Sequence, residues 1–107
     1  MLVISYARED RGYVEDFDDM MCLCEELEVW YDQDIEANEL WHEALEDRFA
    51  RASGFLIFTS KDYVNPKKKK YIHEKEIPIM HRRLLEEQVA VCKIAARPLS
   101  RLSLIHI

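Results

Sequence analysis

The sequence has few cysteines, no long apolar run and no excess of positive charge, and each shortage excludes a class of protein. Cysteine occurs only at Cys22, Cys24 and Cys92, an odd number that does not suit a disulfide-stapled fold. No apolar run approaches the ~20 residues that span a membrane, and no signal-peptide pattern opens the chain. The net charge of −6 argues against a general nucleic-acid binder. We therefore expect a cytoplasmic protein with buried free thiols and with neither a membrane nor a nucleic acid as partner.

The charges are divided unevenly between the two halves of the chain. Residues 1–50 hold sixteen acidic and three basic side chains, whereas residues 51–107 hold five acidic and twelve basic ones. Such a division favours neutralisation of one half by the other within the fold. The alternative is a head-to-tail attraction between copies of the chain.

The apolar pattern predicts strands that alternate with helices. Short apolar runs predict four strands, at residues 2–5, 28–31, 55–58 and 88–94. Helical spacing predicts three helices, between Asp10 and Leu27, between Asn38 and Ala52, and over residues 74–85, with Asp10 and Asn38 as N-caps. The unbroken run FLIF at 55–58 is typical of a strand covered on both faces. This order predicts one α/β domain, an open parallel sheet with helices on both faces.

Polar segments follow the first three predicted strands. These segments are Ser5–Asp10, Tyr31–Asn38 and Thr59–Tyr63. The carboxyl ends of parallel strands share one edge of the sheet, and open α/β sheets bind ligands outside that edge. We therefore expect the functional residues to lie there.

Two classes of open α/β protein are excluded by the residues at this edge. A phosphoacceptor receiver needs an acidic pair after the first strand and an aspartate at the end of the third, but Ser5-Tyr6 and Thr59-Ser60 occupy those places. A flavodoxin needs a loop of small residues that cradles phosphate on backbone N–H groups, and residues 6–10 are too bulky and too charged for that.

Three segments, in this order and at this spacing, resemble the TIR (Toll/interleukin-1 receptor) domain in its bacterial form. They are ISYAREDR at 4–11, VWYDQDIEANELW at 29–41 and SGFLIFTSKDYVN at 53–65. The resemblance covers about residues 2–94 and implies the flavodoxin-like TIR fold. Family members continue into a further strand and a closing helix, which this sequence is expected to lack.

The resemblance implies two kinds of function. Many TIR domains cleave NAD+ at the nicotinamide–ribose bond, so NAD+ is expected as substrate and partner, with no separate cofactor. Positive charge develops on the ribose in such a cleavage, and a nearby carboxylate stabilises it. Other TIR domains are non-catalytic modules that signal by association with further TIR domains. We expect a signalling protein of the NAD+ glycohydrolase type and keep the interaction module as the alternative.

The catalytic residue of the family is a glutamate at the start of the helix after the third strand. Here the lysine run Lys67–Lys70 interrupts the family pattern and leaves two candidates, Glu74 and Glu76. The family glutamate is typically followed by isoleucine or leucine, which favours Glu76 over the alternative Glu74. A purely structural interpretation is that both are solvated acids of a first helical turn, where the helix dipole favours them.

The resemblance also implies residues for substrate binding and for self-association. Substrate-binding candidates are Ser5, Tyr6, Ala7, Arg8, Asp32 and Trp41, and self-association candidates on the BB loop are Asp34, Ile35 and Asn38. Arg8 would bind the diphosphate of NAD+ as a forked donor or else pair with a neighbouring aspartate. Trp41 would stack on a ligand ring or else pack in the core. The histidines show no spacing with acids that predicts a metal site.

The carboxyl-terminal segment departs from the pattern of strands and helices. We expect a partial TIR domain over residues 1–96 and an irregular tail over residues 97–107. The last six residues, LSLIHI, can be encoded as CTG TCT CTT ATA CAC ATC, which resembles a transposon end used as a sequencing adapter. This match favours a reading frame that continues into adapter sequence.

Overall fold

The structure is a computed structural model that describes residues 1–24, 26–32 and 41–95, with only the backbone described at Trp41. Strands and helices alternate along it. The elements are β1 (Leu2–Ser5), a 3₁₀ turn (Arg8–Asp10), α1 (Arg11–Met21), β2 (Val29–Trp30), α2 (Trp41–Arg51), β3 (Gly54–Thr59), a π turn (Ile72–Glu76), α3 (Ile77–Glu87) and β4 (Ala90–Ala95). None of the helices in these ranges is long and apolar enough to cross a membrane.

The four strands form one parallel sheet in the order β2-β1-β3-β4. Leu2 is paired with Val29 on one side and with Gly54 on the other, and Gly54 is paired in turn with Ala90. The predicted open parallel α/β sheet is therefore confirmed. A strand or helix beyond β4 would involve residues after Ala95, which lie outside the described residues.

Alternate residues of the central strands pack on opposite faces of the sheet. Val3, Phe55 and Ile57 join the apolar cluster that includes α2 and α3, whereas Ile4 and Phe58 join the one that includes Val14 of α1. Side chains on successive strand positions point to opposite faces, so a strand covered on both sides needs an unbroken apolar run. This explains the FLIF segment and confirms the prediction of helices on both faces.

The first helix is shorter than predicted. It ends at Met21, and the following Leu23 and Leu27 are 83% and 46% exposed. Cys22 and Cys24 lie in this same region and are exposed, as is Cys92 on β4. The prediction of buried thiols is therefore wrong. The apolar stripe continues in the sequence past Met21, but once the helix has ended, helical spacing no longer directs these side chains to the sheet.

The third helical segment is longer than predicted. Helical backbone begins at Lys70 and continues through the π turn to Glu87, rather than spanning only residues 74–85. The next residue, Gln88, caps the helix and has a left-handed backbone with φ of 54°. Because this conformation terminates a helix, β4 begins at Ala90 and not at residue 88.

An arginine on α3 holds the end of α2. Arg83 is 8% exposed, and its guanidinium donates to the carbonyl oxygens of Phe49 and Ala52 at 2.8 and 2.6 Å. The last carbonyls of a helix have no partner within the helix and carry partial negative charge. Arg83 supplies that partner and also bonds Glu87 at 2.9 Å, so it links α2 to α3.

Candidate functional site

The candidate site lies at the carboxyl ends of β1 and β3, where the π turn approaches the sheet. Ser5, the last residue of β1, is 1% exposed. Its hydroxyl donates to the Glu76 carboxylate at 2.8 Å and lies 2.8 Å from the Tyr63 hydroxyl. Tyr63 belongs to the turn after β3 and is also buried. Three separate segments are thus linked through the buried Ser5 hydroxyl.

The π turn helps to bring Glu76 inward. The Ile77 N–H bonds the Ile72 carbonyl five residues earlier, which defines a π turn. Ile72 and Glu76, at the two ends of the turn, are both buried, with Ile72 in the apolar cluster beside α2. Single π turns within α-helices occur frequently at functional sites. An acid that would otherwise face water is held at the edge of the core.

Burial is the main influence on the protonation of Glu76. It raises the pKa of this carboxyl from 4.5 to about 7. The hydrogen bond from Ser5 opposes the rise, because it stabilises the ionised form, and the negative charge of Asp32 adds to it. Near neutral pH the protein therefore holds Glu76 partly protonated and partly ionised.

The raised pKa of Glu76 makes stability depend on pH. Below about pH 4.5 the carboxyl is protonated in both the folded and the unfolded chain, so it contributes no difference. Between about pH 4.5 and 7 the unfolded chain ionises first, so stability falls as pH rises. We expect the free energy of unfolding, relative to that of Glu76→Gln, to fall by about 3 kcal/mol over this interval and then level off. Urea unfolding of both chains across the pH range measures this, and a difference that does not change with pH would contradict the buried carboxyl.

Glu74, the alternative candidate, is exposed. It lies 3.9 Å from the Lys70 ammonium in a solvent-exposed pair. Two more lysines of the run form ion pairs with acids. Lys68 contacts Asp62 at 2.9 Å, and Lys69 contacts Glu9. The Lys69–Glu9 pair joins the basic half of the chain to the acidic half, as neutralisation within the fold predicts. The lysine run leaves Glu76 in contact with Ser5.

A second polar cluster lies beside the first, at the ends of β1 and β2. The Tyr6 hydroxyl donates to the Asp32 carboxylate, and the Arg11 guanidinium lies 3.7 Å from the same carboxylate oxygen. Burial and the Asp32 bond raise the pKa of Tyr6, so this hydroxyl keeps its proton. Arg11 therefore supplies the ion pair with an aspartate that was the alternative role for Arg8, and Arg8 itself is exposed.

Ala7 is fully buried in the apolar cluster that includes α2 and α3, and its carbonyl accepts the Asp10 N–H at 2.8 Å. Asp10 directly precedes α1, as predicted, but its side chain makes no cap bond to that helix. The carboxylate is fully buried and accepts a hydrogen bond from the Ser60 hydroxyl instead. The prediction that the Asp10 side chain caps α1 is therefore wrong, because its carboxylate bonds the Ser60 hydroxyl and not the first N–H groups of the helix.

The structure therefore assembles some of the predicted residues and leaves others apart. Ser5 and Glu76 meet, Tyr6 and Asp32 meet, and Arg8 and Glu74 lie in solvent. The Trp41 side chain and the BB-loop residues Asp34, Ile35 and Asn38 lie outside the described residues. In the described ranges, no group of three or more His, Cys, Asp or Glu side chains could hold a metal ion.

Sequence reasoning missed two residues of the site, Tyr63 and Arg11. Tyr63 had a signal, because Ser60 and Tyr63 form the Ser-x-x-Tyr part of the third segment, but no role was inferred for its hydroxyl. Arg11 had only its place one residue after Asp10. Charge alone does not tell which of two neighbouring arginines turns toward Asp32.

The family model of the TIR domain matches residues 2–103. The chain belongs to the TIR-domain family. This TIR domain is thus a signalling domain with the flavodoxin-like α/β fold that the sheet order shows. Neither the curated proteins nor the solved structures gave a match. The family match runs to residue 103, and the division of the chain at residues 96 and 97 stays a prediction.

Proposed function

We propose that this TIR domain cleaves NAD+ at the nicotinamide–ribose bond, with Glu76 as the catalytic carboxylate. The observation that carries the proposal is a buried glutamate, with its pKa raised to about 7, at the carboxyl edge of an open α/β sheet. Open sheets bind ligands at this edge, and strongly perturbed carboxyl groups cluster at functional sites. Glu74 has neither property.

The reaction breaks the bond between the ribose carbon and the nicotinamide nitrogen. The electron pair of that bond leaves with nicotinamide, and positive charge spreads over the ribose carbon and ring oxygen. The ionised carboxylate of Glu76 stabilises this charge as it develops. Water then adds to the ribose carbon and loses a proton, which gives ADP-ribose and completes the hydrolysis.

The neighbouring polar groups are proposed to bind the rest of NAD+. Tyr6 and Asp32 offer a hydroxyl and a carboxylate for the hydroxyls of the ribose, next to the buried Ser5 and Ala7. Arg8 is exposed, so its guanidinium is free to fork onto the diphosphate. Trp41 is proposed to stack on a ring of the ligand.

A non-catalytic TIR–TIR module is the second candidate, and the burial of Glu76 favours it. Glu76 is only 8% exposed, and its carboxylate accepts a hydrogen bond from an interior serine, as an acid with a structural role would. In that function the BB-loop residues Asp34, Ile35 and Asn38 contact another TIR domain. Both candidates are proposed to act in the cytoplasm, where a reducing milieu suits three exposed free cysteines.

The test is nicotinamide release from NAD+ by the purified chain at high protein concentration, followed from about pH 5 to 9. The carboxylate has to be ionised to stabilise a cation, so we expect the rate to rise as the pH passes the raised pKa of Glu76, at about 7. Absence of release at every pH, from a chain that is folded and self-associates, would replace catalysis by the interaction module.

A further inference from the structure

A chain of hydrogen bonds connects the buried carboxylate to a tyrosine on another segment. The Ser5 hydroxyl lies 2.8 Å from both the Glu76 carboxylate and the Tyr63 hydroxyl. All three side chains are at least nine-tenths buried. The three groups come from β1, from the turn after β3 and from the π turn, so the bonds tie the whole site together.

The number of protons fixes the direction of this chain. A serine hydroxyl has one proton, and Ser5 uses it to donate a hydrogen bond to the ionised Glu76 carboxylate. The bond between Ser5 and Tyr63 must then run from the tyrosine hydroxyl to the serine oxygen. When Glu76 is protonated, both bonds can reverse, because each hydroxyl can accept as well as donate.

Tyr63 is suited to be the outer donor because it keeps its proton. Burial raises the pKa of the Tyr63 hydroxyl above its usual range, and the negative charge of Glu76 raises it further, while the bond with Ser5 acts against them. Around neutral pH the phenol is therefore neutral and has a proton to give.

The main chain of Tyr63 is held at both of its polar groups. Its N–H donates to the Ser60 hydroxyl oxygen at 3.2 Å, and that hydroxyl in turn donates to the buried Asp10 carboxylate. Its carbonyl accepts a bond at 2.8 Å from the His73 Nε2–H on the π turn. These bonds fix the position from which the phenol reaches Ser5.

We propose that Tyr63 is a positioning residue for Glu76, and that through Ser5 it donates a hydrogen bond to the ionised carboxylate and accepts one when the carboxyl is protonated. The role rests on the proposed function only for its effect on NAD+ cleavage. The hydrogen-bond chain itself belongs to the folded protein and is measured without substrate.

Other titratable groups also lie near Glu76, and they influence its pKa independently of Tyr63. Asp32 approaches from the loop after β2 and raises the pKa of Glu76 by its charge. Glu46 of α2, with Tyr71 and Lys75 of the helix that carries Glu76, lines a narrow crevice beside the carboxyl. None of these is altered by a substitution at Tyr63, so its effect can be isolated.

The experiment follows carboxyl and tyrosine carbons by NMR in the full chain, with ¹³C at Glu Cδ and Tyr Cζ. Tyr63→Phe removes only the hydroxyl, and we expect the proton affinity of Glu76 to rise roughly threefold to tenfold, because the charged form loses the support of one hydrogen bond. Tyr13→Phe is the matched control, since Tyr13 is exposed on α1, and it is expected to leave the Glu76 titration unchanged.

The parent chain supplies a second measurement that needs no substitution at Tyr63. The Cζ signal of Tyr63 is expected to shift with the Glu76 titration near pH 7, whereas that of Tyr13 does not. In Glu76→Gln this shift of the Tyr63 signal should vanish. If Tyr63 is insensitive to Glu76 and Tyr63→Phe leaves the Glu76 midpoint in place, the proposal is overturned.

The rate of NAD+ cleavage separates this inference from the proposed function. If the chain cleaves NAD+, Tyr63→Phe is expected to shift the acidic limb of the pH–rate profile to higher pH. The size of this shift corresponds to the same threefold to tenfold rise in the proton affinity of Glu76, and the plateau rate changes less. If the chain does not cleave NAD+ but the NMR shifts occur as expected, the proposed function fails and the role of Tyr63 stands.

Discussion

Replacement of Glu76 by glutamine is expected to lower nicotinamide release from NAD+ by at least about a hundredfold. Glutamine keeps the size of the side chain and can still accept the bond from Ser5, but it has no negative charge to set against the developing ribosyl cation. Losing one preorganised electrostatic partner of a transition state typically lowers the rate by about 10²–10³. The measurement is the initial rate at about pH 8, where Glu76 of the parent chain is mostly ionised.

Glu74→Gln is the matched control for this loss. Glu74 lies two residues away on the same segment, but it faces solvent beside Lys70. We expect its rate to stay within about twofold of the parent, because an exposed ion pair has little effect. The reverse pattern, with activity lost at Glu74 and kept at Glu76, would transfer the catalytic role to Glu74. Glu76→Gln is expected to be the more stable chain at this pH, so poor folding would not explain its loss of activity.

Replacement of Arg83 by methionine is expected to lower the free energy of unfolding by about 3 kcal/mol. The guanidinium donates to two carbonyls at the end of α2, and methionine fills similar space but leaves both oxygens without that partner. Hydrogen bonds from charged groups contribute about 1.5–3 kcal/mol, and breaking a buried charged network costs about 3–5 kcal/mol. Urea denaturation followed by circular dichroism measures the change.

Arg82→Met is the control for the loss at Arg83. Arg82 is the preceding residue of α3, its side chain is 55% exposed, and its guanidinium lies 3.9 Å from Glu86. This substitution is expected to change stability by less than about 1 kcal/mol, as for most exposed ion pairs. Equal losses of stability at the two positions would show that the hydrogen bonds from Arg83 to α2 do not contribute to the free energy of unfolding.

The sheet could be predicted because its central strands, β1 and β3, are buried on both sides. The run at 55–58 has no polar position and the run at 2–5 has one only at its last residue, Ser5, a pattern typical of central parallel strands. The end of α1 could not be predicted in the same way. Its apolar stripe continues through Cys24 to Leu27, and nothing in that spacing shows that the helix stops at Met21.

Part of the site could be predicted, namely the residues whose position at the end of a strand determines the edge of the sheet on which they lie. Ser5 ends the first predicted strand and Asp32 follows the second, so both were expected at this edge. The burial of Glu76 was not predictable from charge, because Glu74 and Glu76 are the same residue type two positions apart. The π turn and the contact with Ser5 distinguish them, and both depend on tertiary packing. Arg83 was missed for the same reason, since a buried arginine has no pattern of its own.

The bond between Ser5 and Glu76 joins residues that are 71 positions apart. A ribosome adds about 5–20 residues per second, so Ser5 waits roughly 4 to 14 s before its partner has been made. During the earlier part of that time β1 also lacks its neighbour β3, which begins only at Gly54. The amino-terminal half therefore leaves the ribosome with a buried strand and a polar site that are both incomplete. Synthesis has to pass Glu76 before this site can form, so the site is completed only after β1, β2 and β3 have all been made.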